Sequence, residues 1–227
     1  QAEGKNVLVL VHGYRSPLKN VISSYNRILQ GLTDSDLMFG ANYQLVVGYC
    51  WPGFRARLGF FLAVPWANRS AGYFRPFIDK LGEVSKTVDI QTHSLGARVA
   101  LQALSAGANP KRIDNLLLSA PAVDNESLEP EKEFNSALDN AKRTVVYYSR
   151  KDPVLSMYLI AGRDRALGKG GPQHPDVVEQ KCPTVFAVDC SKIISDHSGY
   201  RDSGAYYSHW ARVLSGEKLP RREVLAG

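Results

Sequence analysis

Asn6-Val7-Leu8-Val9-Leu10-Val11 is an unbroken apolar run. A strand with one wet face alternates apolar and polar residues. An unbroken run instead needs cover on both faces, which means a parallel sheet between two layers of helices. The run stops at His12-Gly13-Tyr14-Arg15. Ser16 then reads as a helix cap and Pro17 as the first helical residue, where its fixed φ and missing N–H do no harm. Leu18, Val21, Ile22, Tyr25, Ile28, Leu29 and Leu32 carry a helical stripe over several turns. The chain therefore opens with strand, tight turn and helix.

The alternation recurs. Residues 43–50 read as a second strand with Leu45, Val46 and Val47 at its centre, closed by Trp51-Pro52-Gly53. The aromatic stretch 54–66, broken by Arg55, Arg57, Gly59 and Pro65, is either a packed connector or a flap beside a pocket. Tyr73, Phe74, Phe77, Ile78, Leu81 and Val84 mark an amphipathic helix leading into a strand at 87–91. A helix of good formers spans 97–104, ended by Gly107 and Pro110. Strands are expected at 115–120, 143–149 and 184–189, and a short charged helix around Phe134 and Leu138. The Gly- and Pro-rich stretch 155–181 reads as irregular, and a closing helix carries Tyr206, Tyr207, Trp210, Val213 and Leu214. The pattern predicts an α/β fold: a doubly wound, mostly parallel sheet of about six strands with helices on both faces. No linker or repeat divides the chain, so residues 1–227 are expected to form one domain. Asp89 and Gln91 place polar groups in a central strand, where burial would demand hydrogen-bond partners.

Ligands of open α/β sheets bind beyond the carboxyl ends of the strands, so the residues just past each strand end form a functional census. They are His12-Gly13-Tyr14, Trp51, Ser94, Pro121 to Asp124, Asp152 and His197. Within Thr92-His93-Ser94-Leu95-Gly96 a serine sits at a sharp strand-to-helix turn, the arrangement that lifts a nucleophilic hydroxyl above a sheet. Gly96 supplies the small residue such a turn needs, whereas Thr92 stands where the pattern G-x-S-x-G has its first glycine. A serine, an acid and a histidine occur in the chain order Ser94, Asp152, His197.

With these pieces in place the sequence resembles an α/β-hydrolase, most closely the compact serine-hydrolase-like proteins of bacteria. The matching segments are Val11-His12-Gly13-Tyr14, Trp51-Pro52-Gly53, Thr92-His93-Ser94-Leu95-Gly96, Asp152 and His197-Ser198-Gly199-Tyr200, spread over nearly the whole chain. The two antiparallel strands that begin larger members have no counterpart, since Val7 to Val11 already matches the family's third strand. The resemblance implies Ser94 as nucleophile, His197 as general base and acid, and Asp152 as the group that fixes the His197 tautomer. It also implies that the backbone N–H groups of Tyr14 and Leu95 receive the oxyanion. His12, Trp51, His93 and Tyr200 are the tentative pocket residues, with bracing or packing as the competing reading for His12, Trp51 and His93. Asp124 is the alternative acid, and Asp152-Pro153 has a plain turn as its rival reading. His174, in a Gly/Pro-rich loop, and His209, in the aromatic helix, compete with His197.

The expected activity is cleavage of a small-molecule carboxylic ester or thioester with a small or medium acyl group. An acyltransferase on the same triad, or a silent hydrolase fold used for binding, are the alternatives. No cofactor is implied. Gly168-Lys169-Gly170-Gly171 lacks the context of a phosphate loop, and three cysteines and five histidines show no zinc spacing. The net charge is +6, but the densest basic spots, Arg55/Arg57 and Lys218/Arg221/Arg222, read as solvated faces, so nucleic acid is not an expected partner. The odd cysteine count argues against a disulfide framework, and Cys50, Cys182 and Cys190 read as partly buried thiols. No run approaches the roughly 18 apolar residues of a transmembrane span. A cytoplasmic location is the default, with a removed leader left open by the start at Gln1. The sequence carries no signal for oligomeric state, and Asn68-Arg69-Ser70 and Asn125-Glu126-Ser127 match glycosylation sequons.

Overall fold

The computed structural model describes residues 1–14, 17–38, 42–53, 60–107, 113–160 and 165–227. Ser16 as a cap, the basic pair Arg55/Arg57, residues 54–59 of the aromatic stretch and Pro110 lie outside the described residues. Seven strands form one sheet: β1 (Asn6–Val11), β2 (Leu45–Tyr49), β3 (Thr87–His93), β4 (Ile113–Ser119), β5 (Ala141–Tyr148), β6 (Val185–Asp189) and β7 (Arg222–Val224). Their order is β2-β1-β3-β4-β5-β6-β7, and every pair is parallel. The fold expected from the apolar runs is present, with one strand more than counted. Three residues carry that seventh strand, and Arg222 and Glu223 hide it from an apolar search. Arg222 pairs with Asp176 (3.0 Å) and Glu179 (2.9 Å), and Arg221 donates to the carbonyls of Cys182 and Pro183. The basic spot is thus engaged at a sheet edge, not simply solvated.

The helices are α1 (Leu18–Asp34), α2 (Phe60–Val84), α3 (Gly96–Ser105), α4 (Pro153–Ile160), α5 (Leu167–Gly170), α6 (Pro175–Lys181) and α7 (Gly204–Leu214). The chain leaves β1 toward β2 on one side and returns past β1 to β3 on the other. Right-handed crossovers in opposite directions put α1 and α2 on opposite faces. Accordingly α1 packs with α7, and α2 packs with α3. The reversal of direction at β1 leaves a crevice between the carboxyl ends of β1 and β3, where an open α/β sheet places its ligand.

Val7 to Val11 are at most 1% exposed, as an apolar run covered on both faces requires. In α1 the buried stripe is narrower than expected: Val21, Tyr25, Ile28 and Leu32 face the sheet, while Leu18 and Ile22 face outward. The aromatic stretch from Phe60 and the next amphipathic segment are one helix, with Pro65 and Pro76 inside it. Ala63, Ala67, Ala71, Phe74, Ile78 and Leu81 form its buried stripe, and Tyr73 is outside it. The stretch expected to be irregular between Asp152 and β6 carries α4, α5 and α6. Cys182 and Cys190 are buried free thiols, and Cys50 is exposed, not partly buried.

The polar residues of β3 have partners. Asp89 accepts hydrogen bonds from Tyr43 Oη (2.6 Å), Asn115 N (2.9 Å) and Asn115 Nδ2 (2.9 Å). Gln91 Nε2 donates to the Thr92 carbonyl (3.0 Å) and Ser119 Oγ (3.3 Å).

Candidate active site

Ser94 follows β3 directly and adopts φ +56°, a left-handed conformation that ordinary residues avoid. The strain is held by three hydrogen bonds. Ser94 N donates to the Ser119 carbonyl (3.0 Å), and the Ser94 carbonyl accepts from Ala97 N (3.1 Å) and Ala122 N (3.1 Å). Gly96 is required by closeness: a Cβ there would lie 2.5 Å from the His12 carbonyl oxygen and 2.6 Å from that of Val11. Gly13 is required from the other side, since its Cβ would lie 2.8 Å from Ser94 Cβ. Turn and loop thus interlock. Thr92 fits because it is still extended within β3, and the left-handed φ falls on Ser94 instead. Its consequence is elsewhere: Thr92 Oγ1 is buried without a hydrogen-bond partner.

The amino end of α3 lies directly under this turn. The first intrahelical donors are Ala97 N, bonded to Ser94 O, and Arg98 N, bonded to Leu95 O. Leu95 N–H precedes that ladder, as the first N–H groups of any helix do. Tyr14 follows Gly13 in the loop after β1, partly buried against the core. That loop is anchored by Tyr25, whose hydroxyl accepts from His12 N (3.0 Å) and lies 2.9 Å from the Leu10 carbonyl and 2.8 Å from that of Tyr49.

His197, in the loop after β6, meets Asp152 from the end of β5: Nδ1 and Asp152 Oδ2 are 2.6 Å apart. A carboxylate only accepts, so Nδ1 carries a proton and donates it to Asp152. Asp152 is fully buried, yet its other oxygen accepts from Val154 N (2.9 Å) and Leu155 N (3.0 Å), the first turn of α4. Burial alone would push this carboxyl up. The hydrogen bond and charge of His197, with the N–H groups of Leu155 and Val154, outweigh it and hold the carboxyl below the ordinary range. Asp152-Pro153 is therefore a helix start as well as the histidine's partner, a signature that acid followed by proline already carried. Lys169 Nζ also donates to the Asp152 carbonyl (2.8 Å).

The competing candidates are engaged with other partners. Asp124 accepts from Tyr158 Oη (2.9 Å). His174 bonds Glu129 (2.9 Å), and His209 is buried against Tyr147 Oη (2.9 Å), its pKa pushed down to about 4 by burial. Of the expected pocket residues, His12, Trp51 and Tyr200 are buried. Trp51 and Tyr200 are 4% and 2% exposed and pack in the core, and Tyr200 together with His93 also lines a small cavity with Gln91, Tyr206 and Trp210. His12 donates from Nδ1 to the Gly13 carbonyl (2.8 Å), accepts Trp51 N–H at Nε2 (3.1 Å), and takes Trp51 Nε1–H on its own carbonyl (2.8 Å). Burial pushes its pKa down, so the ring is a neutral brace of the loop before Tyr14.

His93 has the contact that the sequence did not reveal. Its side chain turns toward the loop of His197, where Nε2–H donates to the His197 carbonyl (2.7 Å) and the two rings lie 4.6 Å apart. Burial, then the nearby charge of His197, pushes the His93 pKa down to about 3, so it stays a neutral donor. Side-chain alternation along a strand does not reach past the turn, so no periodic signal could have found this bond. Among the described residues no group of three His, Cys, Asp or Glu side chains is placed to hold a metal, and no helix is long and apolar enough to cross a membrane.

Comparison with known proteins agrees with this architecture. An esterase of Pyrobaculum calidifontis superposes with a TM-score of 0.53 at 15% identity, covering 95% of this chain and 78% of that one. Esterase Pf2001 of Pyrococcus furiosus gives 0.50 at 16%, covering 94% and 82%. The lin2722 gene product of Listeria innocua gives 0.52 at 9%, covering 98% and 99%. At these identities the likeness is one of fold. No protein of curated function matches by sequence. A family model, described as "Alpha/beta hydrolase of unknown function (DUF900)", matches residues 1–208. The elbow at Ser94, the parallel sheet and that match lead to one statement: the chain belongs to this α/β-hydrolase family.

Proposed function

We propose that the protein is a serine hydrolase that cleaves carboxylic esters or thioesters of small or medium acyl groups through an acyl-enzyme. The observation that supports this reading is the Asp152–His197 pair together with the bond to the His197 loop from His93, the residue that precedes the strained Ser94. In the proposed cycle His197 Nε2 takes the proton of Ser94 Oγ as the oxygen attacks the substrate carbonyl carbon. The carbonyl oxygen becomes an oxyanion and accepts hydrogen bonds from the N–H groups of Leu95 and Tyr14. The tetrahedral adduct collapses, the bond to the alcohol breaks, and His197 gives that alcohol the proton. Water then attacks the acyl-serine with the same proton transfers and releases the acid. Asp152, kept ionised by its surroundings, holds the Nδ1–H tautomer and stabilises the imidazolium that forms.

The test is hydrolysis of nitrophenyl esters of short, medium and long acyl chains by wild type and Ser94→Ala. The reading predicts turnover that peaks at short or medium chains and falls by roughly 10⁴-fold or more in the variant. Equal turnover by both proteins would refute it.

A further inference from the structure

Eight large apolar side chains are prominently exposed among the described residues, and six of them lie on three helices that start from the same end of the sheet, on both of its faces. Leu18 and Ile22 lie on the first turns of α1, Leu62 and Trp66 on the first turns of α2, and Val154 and Met157 on α4, all between 42% and 62% exposed. Single exposed hydrophobics are ordinary on a protein surface, but a grouping marks a contact. These three helices are the ones that follow β1, β2 and β5 in the chain, whose carboxyl ends lie at the end of the sheet that carries Ser94, Asp152 and His197. Helix α2 has 25 residues, so it is about 37 Å long. The seven residues of β3 span about 23 Å. The helix ends at Val84, with only Ser85 and Lys86 between it and β3, so its first turns stand beyond the sheet on the side of the site.

Within these three helices charge is sorted along the same direction, while Glu131 after β4 and Asp196 beside His197 are exposed acids at the same end of the sheet. Before Asp34 in α1, before Asp79 in α2 and throughout α4 there is no acidic residue. Lys19, Arg69 and Lys151, next to the apolar side chains, are exposed and have no carboxylate partner among the described residues. By contrast Arg27 pairs with Asp202, and Arg75 with Asp79. Protruding aliphatic and indole side chains set among unpaired cations match a bilayer whose headgroups are anionic: the apolar groups enter the acyl boundary, and the cations stay at the phosphate level. A protein partner would need acidic side chains set around an apolar patch, whereas an anionic bilayer offers that layering over its whole surface.

We propose that this rim docks the protein on an anionic lipid surface, with the mouth of the site facing the membrane. Docking requires no hydrolysis, so it stands or falls apart from the activity proposed above.

The experiment is flotation of the intact chain with vesicles of phosphatidylcholine alone and of phosphatidylcholine with about one-third phosphatidylglycerol. It uses the Ser94→Ala protein so that turnover plays no part. The bound fraction should rise roughly tenfold with the anionic lipid and fall again in about 0.5 M salt. The set Leu18→Ser, Ile22→Ser, Trp66→Ser and Met157→Ser should lose flotation, and the set Lys19→Ser, Arg69→Ser and Lys151→Ser should lose its dependence on anionic lipid. Both sets, built on Ser94 intact, should hydrolyse a soluble short ester as wild type does if the proposed activity holds. A circular-dichroism melt like that of wild type shows they are folded whether or not it does. Absence of flotation with anionic vesicles would overturn the proposal. So would equal flotation by the serine set, or a stable dimer that the same substitutions dissolve, which would make the rim an interface between copies of the chain.

Discussion

Asp89 and Asp152 are both carboxylates with almost no exposed surface, one near the amino end of β3 and the other just past the carboxyl end of β5. Burial pushes the pKa of Asp89 up to about 6, while Asp152 is held below the ordinary range. The difference lies in the partners. Asp89 is met by neutral donors, Tyr43 Oη and the two nitrogens of Asn115, with Asp114 adding a like charge. Asp152 is met by the start of a helix and by an imidazole that can become cationic. Neutral hydrogen bonds make up for part of the lost hydration; a helix amino terminus and a cation favour the charge itself. Burial of an acid therefore says little about its use, and the charge offered to it says more. Asp89 ties Tyr43 to β3 and β4, and Tyr43 in turn accepts from Trp210 Nε1 (3.0 Å) in α7. Its place is in the framework, away from the carboxyl ends of the strands.

The contrast is broken most directly by substitution to asparagine. Asp152→Asn should lower kcat by roughly 10⁴-fold, because an amide no longer selects the Nδ1–H tautomer of His197. Asp124→Asn and Asp89→Asn should leave the rate unchanged, measured on a soluble ester. A large loss for Asp124→Asn would move the acid to the other strand end.

Titration of stability is the next effect in size. For Asp89 the folded pKa lies above the unfolded value, so the native state binds more protons between the two. Its stabilising contribution is complete below about pH 3.9 and is lost as pH rises through about 6, an effect of roughly 2–3 kcal/mol. Asp152 has the opposite sign: its contribution is present above the unfolded pKa and is lost as pH falls through the lower folded one. Urea denaturation from about pH 4 to pH 7 should show wild type losing stability as Asp89 ionises. Asp89→Asn should start lower, since an amide NH2 replaces one of the two carboxyl oxygens that accept from Tyr43 and Asn115, but follow a flatter curve. Parallel curves would remove the assigned titration.

A smaller effect is expected at His93. His93→Phe should reduce kcat about tenfold with KM little changed, because the His197 loop loses its 2.7 Å anchor while Ser94 and Asp152 stay in place. His93→Gln, which keeps a side-chain N–H, should recover part of the loss. The smallest effect is at Thr92. Thr92→Val removes a buried hydroxyl that has no partner and should raise stability by about 1 kcal/mol in a melting experiment.

How much could be read in advance follows from the range of each interaction. Val7 to Val11 and the other apolar runs declare a parallel sheet because burial on both faces is a local property. The turn at Ser94 is legible because Gly96 and a β-branched strand flank it, and Asp152 and His197 because strand ends collect ligands. Helix α4 was hidden by composition: Pro153-Val154-Leu155-Ser156-Met157-Tyr158 is apolar on nearly every side and shows no period. Strand β7 was hidden by brevity and charge. The partners of Asp89 come from residues 43 and 115, and the bond from His93 reaches 104 positions ahead, so only the folded chain brings them together.

The central claim is that Ser94 is a nucleophile activated by His197, and covalent capture tests it most directly. A fluorophosphonate probe should add one phosphonyl group to the wild-type protein by intact mass, mapped to Ser94, and none to Ser94→Ala. Unlabelled wild type, or equal labelling of the alanine variant, would contradict the account.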